Sequence, residues 1–395
     1  MPLLPILAPL AIAVALQALP TFSNLTATTL APEILGLLKL PGGAAGGYVF
    51  ALYVAATLGS FAAASVVLRL GPIRAGQAAL LLYVAGAGLI AAAPSTPVFA
   101  LAAIGFGLAY TIPIPAGAQI LLANTPPHLR NTLFGIRQMG VPMGGLAAGV
   151  LYPPVAEAHG WQTAFVVSAV SCLLLAIALQ PTRRRYDADR KPGLPFLKSA
   201  GNGPIAVLKA APGMRRLGAA GMLYAGVEVT AVANIVLFLE RKLAWSLIEA
   251  GYALGMLSVG GAVGRLFWGV AADRVGDRTR LLGWLGLGMA ASMAVLAFGS
   301  AHAAALAYLG AFLVGFSAGG WTGVGVAESA RLAGAAGAVA GAAALTQLMF
   351  LGVVALPSAA GAALALGAAY PYVFACIGGL AGLGGLLLLT APPEP

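Results

Sequence analysis

Arg183-Arg184-Arg185-Tyr186-Asp187-Ala188-Asp189-Arg190-Lys191 opens, and Met214-Arg215-Arg216 closes, the one basic island in a chain that is otherwise apolar from end to end. The island splits the 395 residues into two stretches of similar length. Of all residues 60% are hydrophobic and 8% charged, against about one quarter charged in soluble domains. A water-soluble fold cannot hide that much apolar surface, so lipid must be the solvent for most of the chain. The near-equal halves suggest a duplicated transport machine.

Working outward from the island, breaks at Pro, Gly and charged residues delimit twelve apolar runs of spanning length, about 20 residues each. They lie near residues 5–30, 45–68, 74–93, 98–122, 132–155 and 161–180, then near 216–239, 247–271, 280–299, 303–329, 335–363 and 371–390. Short alternating strands of a membrane barrel are not visible. The expected fold is an all-α integral membrane protein, twelve transmembrane helices in two pseudo-symmetric six-helix bundles. The bundles take 1–181 and 214–395, and 182–213 form a basic linker. Met1-Pro2-Leu3-Leu4-Pro5 lacks the positive flank of a cleavable signal, so the apolar run after it reads as the first helix. Pro192, Pro195 and Pro204 make the island mostly loop, with a short interfacial helix around Ile205 to Ala210.

The basic residues test this count, because positively charged loops stay cytoplasmic. With both termini inside, eighteen fall on the cytoplasmic side: Arg69, Arg74, Arg130, Arg137, the island's nine, Arg265, Arg274, Arg278, Arg280 and Arg331. Only Lys39, Arg241 and Lys242 fall outside. A wrong span count would scramble that partition. The net charge of +10 is therefore a topological signature rather than a nucleic-acid footprint. It places the chain in the cytoplasmic membrane, multi-pass, with Arg183–Arg185 and Arg215-Arg216 facing acidic lipid headgroups.

Gly269-Val270-Ala271-Ala272-Asp273-Arg274-Val275-Gly276-Asp277-Arg278 joins the eighth and ninth spans. Here the chain resembles the major facilitator superfamily of secondary transporters, whose loop signature is Gly, then Asp-Arg, one residue, Gly and basic residues. The resemblance covers the whole layout. A weaker copy sits at Leu68-Arg69-Leu70-Gly71 with Arg74, where Leu68 stands in place of the family's Asp. The resemblance implies a conformational latch at Gly269, Asp273, Arg274, Gly276 and Arg278 that holds the halves together on the cytoplasmic side. Gly276 is expected to permit a tight turn, and Asp273 to accept from backbone N–H groups at a helix start, near Arg130 to Arg137. In the fifth span, Gly140-Val141-Pro142-Met143-Gly144-Gly145 is similar to a pattern of proton-coupled exporters, with its proline one position late. Arg137-Gln138-Met139-Gly140-Val141-Pro142 looks more like the metabolite and small-anion porters. Packing also explains Gly140 and Gly144, a small-xxx-small pair, and Pro142 is expected to bend the span.

Charges inside a bilayer cost several kcal/mol, so they mark function or a paired structural site. Glu228 lies twelve residues past Arg216, about 18 Å up the helix and near the midplane. Desolvation there favours the neutral acid unless a cation is adjacent, which suits a group that loads and releases a proton. A hydrogen-bonded core Glu is the plain alternative. A shift of 204 residues sets Asn24 opposite Glu228. In the superfamily the first, fourth, seventh and tenth spans line the cavity. Carried onto this chain, that nominates Gln17, Asn24, Tyr110, Gln119, Tyr224, Glu228, Asn234 and Trp321 for substrate binding. Each neutral one is equally well explained by an interhelical hydrogen bond. Arg137, beside Gln138, either snorkels to the headgroups or binds an anionic substrate, whereas Arg265 reads as snorkelling. Glu328 and Arg331 are spaced for a helical ion pair, and a gate partnership of Glu328 with Arg137 is the deeper alternative. Proline and glycine should bend the fourth span at Pro113 and Pro115 and soften the tenth at Gly319 and Gly320.

These residues point to a secondary active transporter of a small organic solute, working by alternating access and driven by protons through Glu228. A proton-antiport exporter of drugs or hydrophobic metabolites is the alternative. An enzyme would show clustered His, Asp or Glu, but His128, His159 and His302 fall at loops on both sides. No Gly-rich nucleotide loop appears. No cofactor or metal is implied, and Cys172 and Cys376 read as small buried or lipid-facing residues. The partners expected are the solute, protons and lipids, for a chain that the resemblance makes a monomer.

Overall fold

The computed structural model describes residues 4–41, 44–126, 129–196, 208, 212–334 and 338–390, and no strand occurs among them. Twelve helices are long and apolar enough to cross a membrane. The first six are Ile6–Thr29, Ala44–Leu70, Pro72–Ala92, Thr96–Asn124, Leu133–His159 and Trp161–Tyr186. The next six are Gly213–Leu243, Leu247–Arg274, Arg278–Gly299, Ala304–Leu332, Gly341–Ala365 and Tyr370–Leu389. Their ends depart from the sequence reading by six residues at most, where the sixth span runs on to 186 instead of 180 and the eleventh starts at 341 instead of 335. The extension of the sixth makes Arg183–Tyr186 helical rather than loop. The helix expected around Ile205 to Ala210 lies outside the described residues, Leu208 apart.

The chain forms two compact units, one of Met1–Ile34 with Ala51–Ser199 and the other of Leu35–Phe50 with Ala200–Pro395. Within the first, the polar first span is packed inside: Gln17, Thr21, Ser23, Asn24, Thr26, Thr28 and Thr29 are all buried. Thr21 donates to the Gln17 carbonyl at 3.0 Å and Thr26 to that of Ser23 at 3.0 Å. A hydroxyl bonded to its own helix costs little in a medium without water. Ser23 also meets Ser168 at 2.8 Å and Cys172 at 3.2 Å, tying the first span to the sixth.

Glycines set the spacing between helices. A Cβ at Gly140 would lie 2.8 Å from the Val14 carbonyl oxygen, and one at Gly144 would strike that of Ala18. The first and fifth spans are thus in backbone contact, as the small-xxx-small spacing predicts. In the second unit Gly260 and Gly264 do the same against Phe312 and Phe316 of the tenth span.

The expected bends are present. The fourth span breaks between Thr96–Tyr110 and Pro113–Asn124, because Pro113 and Pro115 supply no N–H to the preceding turn. The fifth breaks at Met139, between Arg130–Gln138 and Gly140–His159, since Pro142 has no N–H for the Gln138 carbonyl. The tenth widens to a π-helical turn over Gly315–Gly319 before resuming at Trp321. Large apolar side chains such as Leu174, Ile177, Leu266 and Trp284 remain exposed, as outward faces in lipid must.

Gly144→Val forces the first and fifth spans apart and costs about 1–3 kcal/mol or more. Gly135, around which a side chain meets nothing within 4 Å, is the matched control. Thermal unfolding of the purified variants should show a clear loss for Gly144→Val and little for Gly135→Val. Equal losses would contradict the packing described.

Candidate functional site

Glu228 is the middle residue of the 31-residue span Gly213–Leu243, with fifteen residues on either side. Its Oε1 lies 3.7 Å from Nη2 of Arg265 in the eighth span, and the two side chains are only 22% and 15% exposed. Arg265 therefore points inward to a counter-ion instead of snorkelling outward. An anion at the centre of a helical bundle recruits the long cation within reach, because an unpaired charge there is more costly than an ordered side chain. Gly261 and Gly319 let the eighth and tenth spans meet beside the pair, since a Cβ at Gly319 would stand 2.8 Å from the Gly261 Cα. The separation of the two charges exceeds hydrogen-bond length, so the pair is held by Coulombic attraction.

Other candidates of the second unit are engaged in packing. Tyr224 donates to the Leu282 carbonyl at 3.0 Å, and its ring meets Trp321 edge-on at 5.4 Å. Trp321 is fully buried, with its indole N–H unpartnered among the described residues. Asn234 donates to the Thr230 carbonyl one turn back at 3.0 Å.

In the first unit the structure brings Arg137 and Gln17 together. Arg137 is 4% exposed, and its Nη2 donates to Gln17 Oε1 at 2.8 Å and to the Ile114 and Pro113 carbonyls at 3.2 and 3.3 Å. Snorkelling is thus overturned for Arg137 as well. Gln138, the next residue of the same helix, faces away from this cluster and is exposed. Asn24 accepts from Tyr83 at 3.0 Å, the interhelical bond that competed with substrate contact. Tyr110 lies edge-on to Tyr53 at 6.3 Å. Gln119 keeps a buried amide oxygen without a partner among the described residues.

The latch residues occupy the loop between Leu247–Arg274 and Arg278–Gly299. Asp273 is exposed and pairs with Arg278 at 3.6 Å, while Arg274 is exposed at the helix end. The start of the ninth span is capped by Asp277, which accepts from the Arg280 N–H at 2.9 Å. Gly276 does not adopt a left-handed conformation, and a Cβ placed there or at Gly269 would meet no atom within 4 Å, so the turn itself does not demand glycine. Further along, buried Glu328 accepts from Arg331 at 2.7 and 2.8 Å and from Thr279 at 2.5 Å, the expected ion pair with an added anchor.

The weaker copy of the loop is completed from elsewhere in the chain. Leu68 offers no carboxylate, yet Asp187, just past the sixth span, accepts from the Ile73 and Arg74 N–H groups at 2.8 and 3.2 Å. These are the orphan donors of the third span, at the positive end of its dipole. Gly71, at φ 94°, is the glycine that geometry requires: a methyl there would overlap the Asp187 carboxyl. Burial pushes that carboxyl above its ordinary value, opposed by the two N–H donors and by Arg183 and Arg74. Lys191 N–H donates to the Leu68 carbonyl at 2.8 Å, and Arg69 donates to that of Leu194 at 2.9 Å while stacking on Phe196. The opening of the island is thereby strapped to its own unit. Sequence spacing offers no sign of Asp187, which acts 114 residues from Ile73.

A family model described as Major Facilitator Superfamily matches residues 10–349. The chain belongs to the major facilitator superfamily. An uncharacterized MFS-type transporter of Mycobacterium tuberculosis (strain CDC 1551 / Oshkosh) is 27% identical over 189 residues, 46% of this chain. The chain spans only 40% of that relative's length. Among solved structures, the peptide transporter POT in complex with sulfate aligns at TM-score 0.77 and 14% identity, over 96% of this chain and 93% of that one. A bacterial homologue of the human lysosomal transporter Spinster, inward-facing and occupied, aligns at 0.72 and 16% identity over 96% and 95%. At such identity these likenesses speak for the fold alone. This superfamily member is a multi-pass membrane protein.

Asp187→Ala removes the cap of the third span and should cost about 0.5–2 kcal/mol, with Asp187→Asn milder because its amide oxygen still accepts. Thermal unfolding beside Asp189→Ala checks this. A loss at Asp189 equal to that at Asp187 would contradict it.

Proposed function

We propose that this chain is a secondary active transporter that moves a small organic solute across the cytoplasmic membrane by alternating access, coupled to protons. The observation that carries the coupling is the Glu228–Arg265 pair inside the second unit. In hydrocarbon a carboxylate and a guanidinium hold each other ionised. Adding a proton to Glu228 removes the anion and leaves Arg265 without its counter-ion. That state is unfavourable until a solute or a conformational change relieves it, and this is how a proton and a solute become linked.

The remaining candidates take graded parts in this reading. Glu228 carries the proton. Arg137 and Gln17 form the polar centre of the first unit and contact the solute, with Gln119 and Trp321 offering unpartnered polar atoms. Tyr224, Asn24 and Asn234 support the binding spans through their helix-to-helix or within-helix bonds, while Tyr110 and Gln138 remain candidates for solute contact. Gly269, Asp273, Arg274, Gly276 and Arg278 form the conformational latch, and the exposure of Asp273 leaves it free to exchange partners. Both termini are cytoplasmic, the island's arginines meet acidic lipids, and the monomer is the working unit. An exporter of cationic drugs would need an unengaged carboxylate, and Arg265 already occupies Glu228, so that alternative is the weaker one.

Purified protein in liposomes with a trapped pH dye, offered a panel of small organic solutes under an imposed pH gradient, tests the coupling. Wild type should move protons with at least one solute. Glu228→Gln should lose about tenfold or more of gradient-driven flux while still exchanging solute across the bilayer. Undiminished gradient-driven transport by Glu228→Gln would end the proton role.

A further inference from the structure

Arg137 carries a charge that no described residue of its own unit balances. None of the four ion pairs among the described residues includes it. Among those residues, every side-chain hydrogen bond it makes leaves from Nη2 and ends on a neutral oxygen, of Gln17, Pro113 or Ile114. Nε is buried and has no partner there at all. Buried charges in proteins are paired, and neutral acceptors orient a cation without cancelling it.

The surroundings are built around that guanidinium. Gly117 lies against it, since a Cβ there would stand 2.6 Å from Nε and displace the side chain. The proline break in the fourth span sets the carbonyls of Pro113 and Ile114 beside Nη2. Gln17 turns its amide oxygen toward Arg137, which leaves its NH2 as a donor. Nε–H, the Nη1 hydrogens and that NH2 make a set of donors with no acceptor assigned to it. The carboxylates of the first unit lie elsewhere: Glu33 follows the first span, Glu157 is near the end of the fifth, and Asp187 and Asp189 follow the sixth. Among the deep groups of the described residues, Glu228 and Arg265 cancel, and one positive charge remains.

We infer that Arg137, oriented by Gln17, binds the transported solute through an anionic group, and that the solute is a small organic monoanion, of the carboxylate class. This rests on the transporter reading and adds to it the charge of the cargo. Nη2, which belongs to both guanidinium edges, is already bonded, so a carboxylate would take its charge-assisted N–H bonds from Nη1 and from the Gln17 NH2, donors that a lone ammonium cannot place in the same way. One negative charge also brings the deep groups to neutrality, so the loaded protein holds no uncompensated charge in hydrocarbon.

Thermal unfolding of the purified full chain in discs of neutral lipid tests the inference, with straight-chain monocarboxylates, their primary amides, the corresponding amines and inorganic phosphate as probes. Carboxylates should stabilise wild type and their amides should not. Arg137→Lys, which keeps the charge without the fork, should weaken the apparent carboxylate affinity by about tenfold to a hundredfold. Gln17→Leu should weaken it less. Arg137→Gln should abolish it, and Arg137→Lys serves where Arg137→Gln does not fold. The inference is overturned if amides, amines or phosphate alone stabilise wild type, if no carboxylate does, or if Arg137→Lys binds carboxylates as wild type does. Counterflow of a radiolabelled carboxylate separates the two readings. Carboxylate binding that depends on Arg137 without counterflow leaves the anion site standing and sinks transport. Counterflow of a neutral or cationic solute that survives Arg137→Gln does the reverse.

Discussion

Hydrocarbon offers a charge no solvent, and that constraint organises the interior of both units. A guanidinium or carboxylate within a span must find its partners on neighbouring helices. The two units meet the demand differently. In the second, Arg265 and Glu228 answer one another across two spans. In the first, Arg137 is held by an amide and two carbonyls, which orient it but leave its charge standing. The pair is at rest and the lone cation is not. A duplicated architecture has thus become chemically asymmetric, with Asn24 bonded to a tyrosine at the position where the second half carries its acid.

The breaks in the helices serve the same end. Pro113, Pro115 and Pro142 remove donors from the fourth and fifth spans on either side of Arg137, and the resulting offsets bring it to Gln17 and the fourth-span carbonyls. The π-helical turn of the tenth span lies where Gly315 and Gly319 press on the eighth. Irregular backbone at membrane depth is tolerated only inside protein, and here it sits beside the charged groups.

Much of the fold was legible because hydropathy, proline and the sidedness of Lys and Arg are each read one residue at a time. Twelve spans and the proline bends of the fourth and fifth follow from them. Partnerships are not so read. Arg265 looked like a snorkelling arginine because the sequence holds no record of which helix faces which, and its acid lies 37 residues earlier. Asp187 was invisible as the cap of the third span for the same reason: the family motif directs attention to Leu68, while the compensating carboxylate comes from beyond the sixth span. Glu228 was legible as a deep acid from its distance to Arg216, but its cation was not.

Proton coupling as proposed requires Glu228 and Arg265 to share one site inside the second unit. A double-mutant cycle on unfolding, with Glu228→Gln, Arg265→Gln and the pair together, measures that directly. Each single change strands a charge in hydrocarbon, so the double variant should be more stable than at least one single variant, with a coupling energy of about 1–3 kcal/mol. Additive losses would show that the two side chains do not meet, and the proposed coupling would have no physical basis.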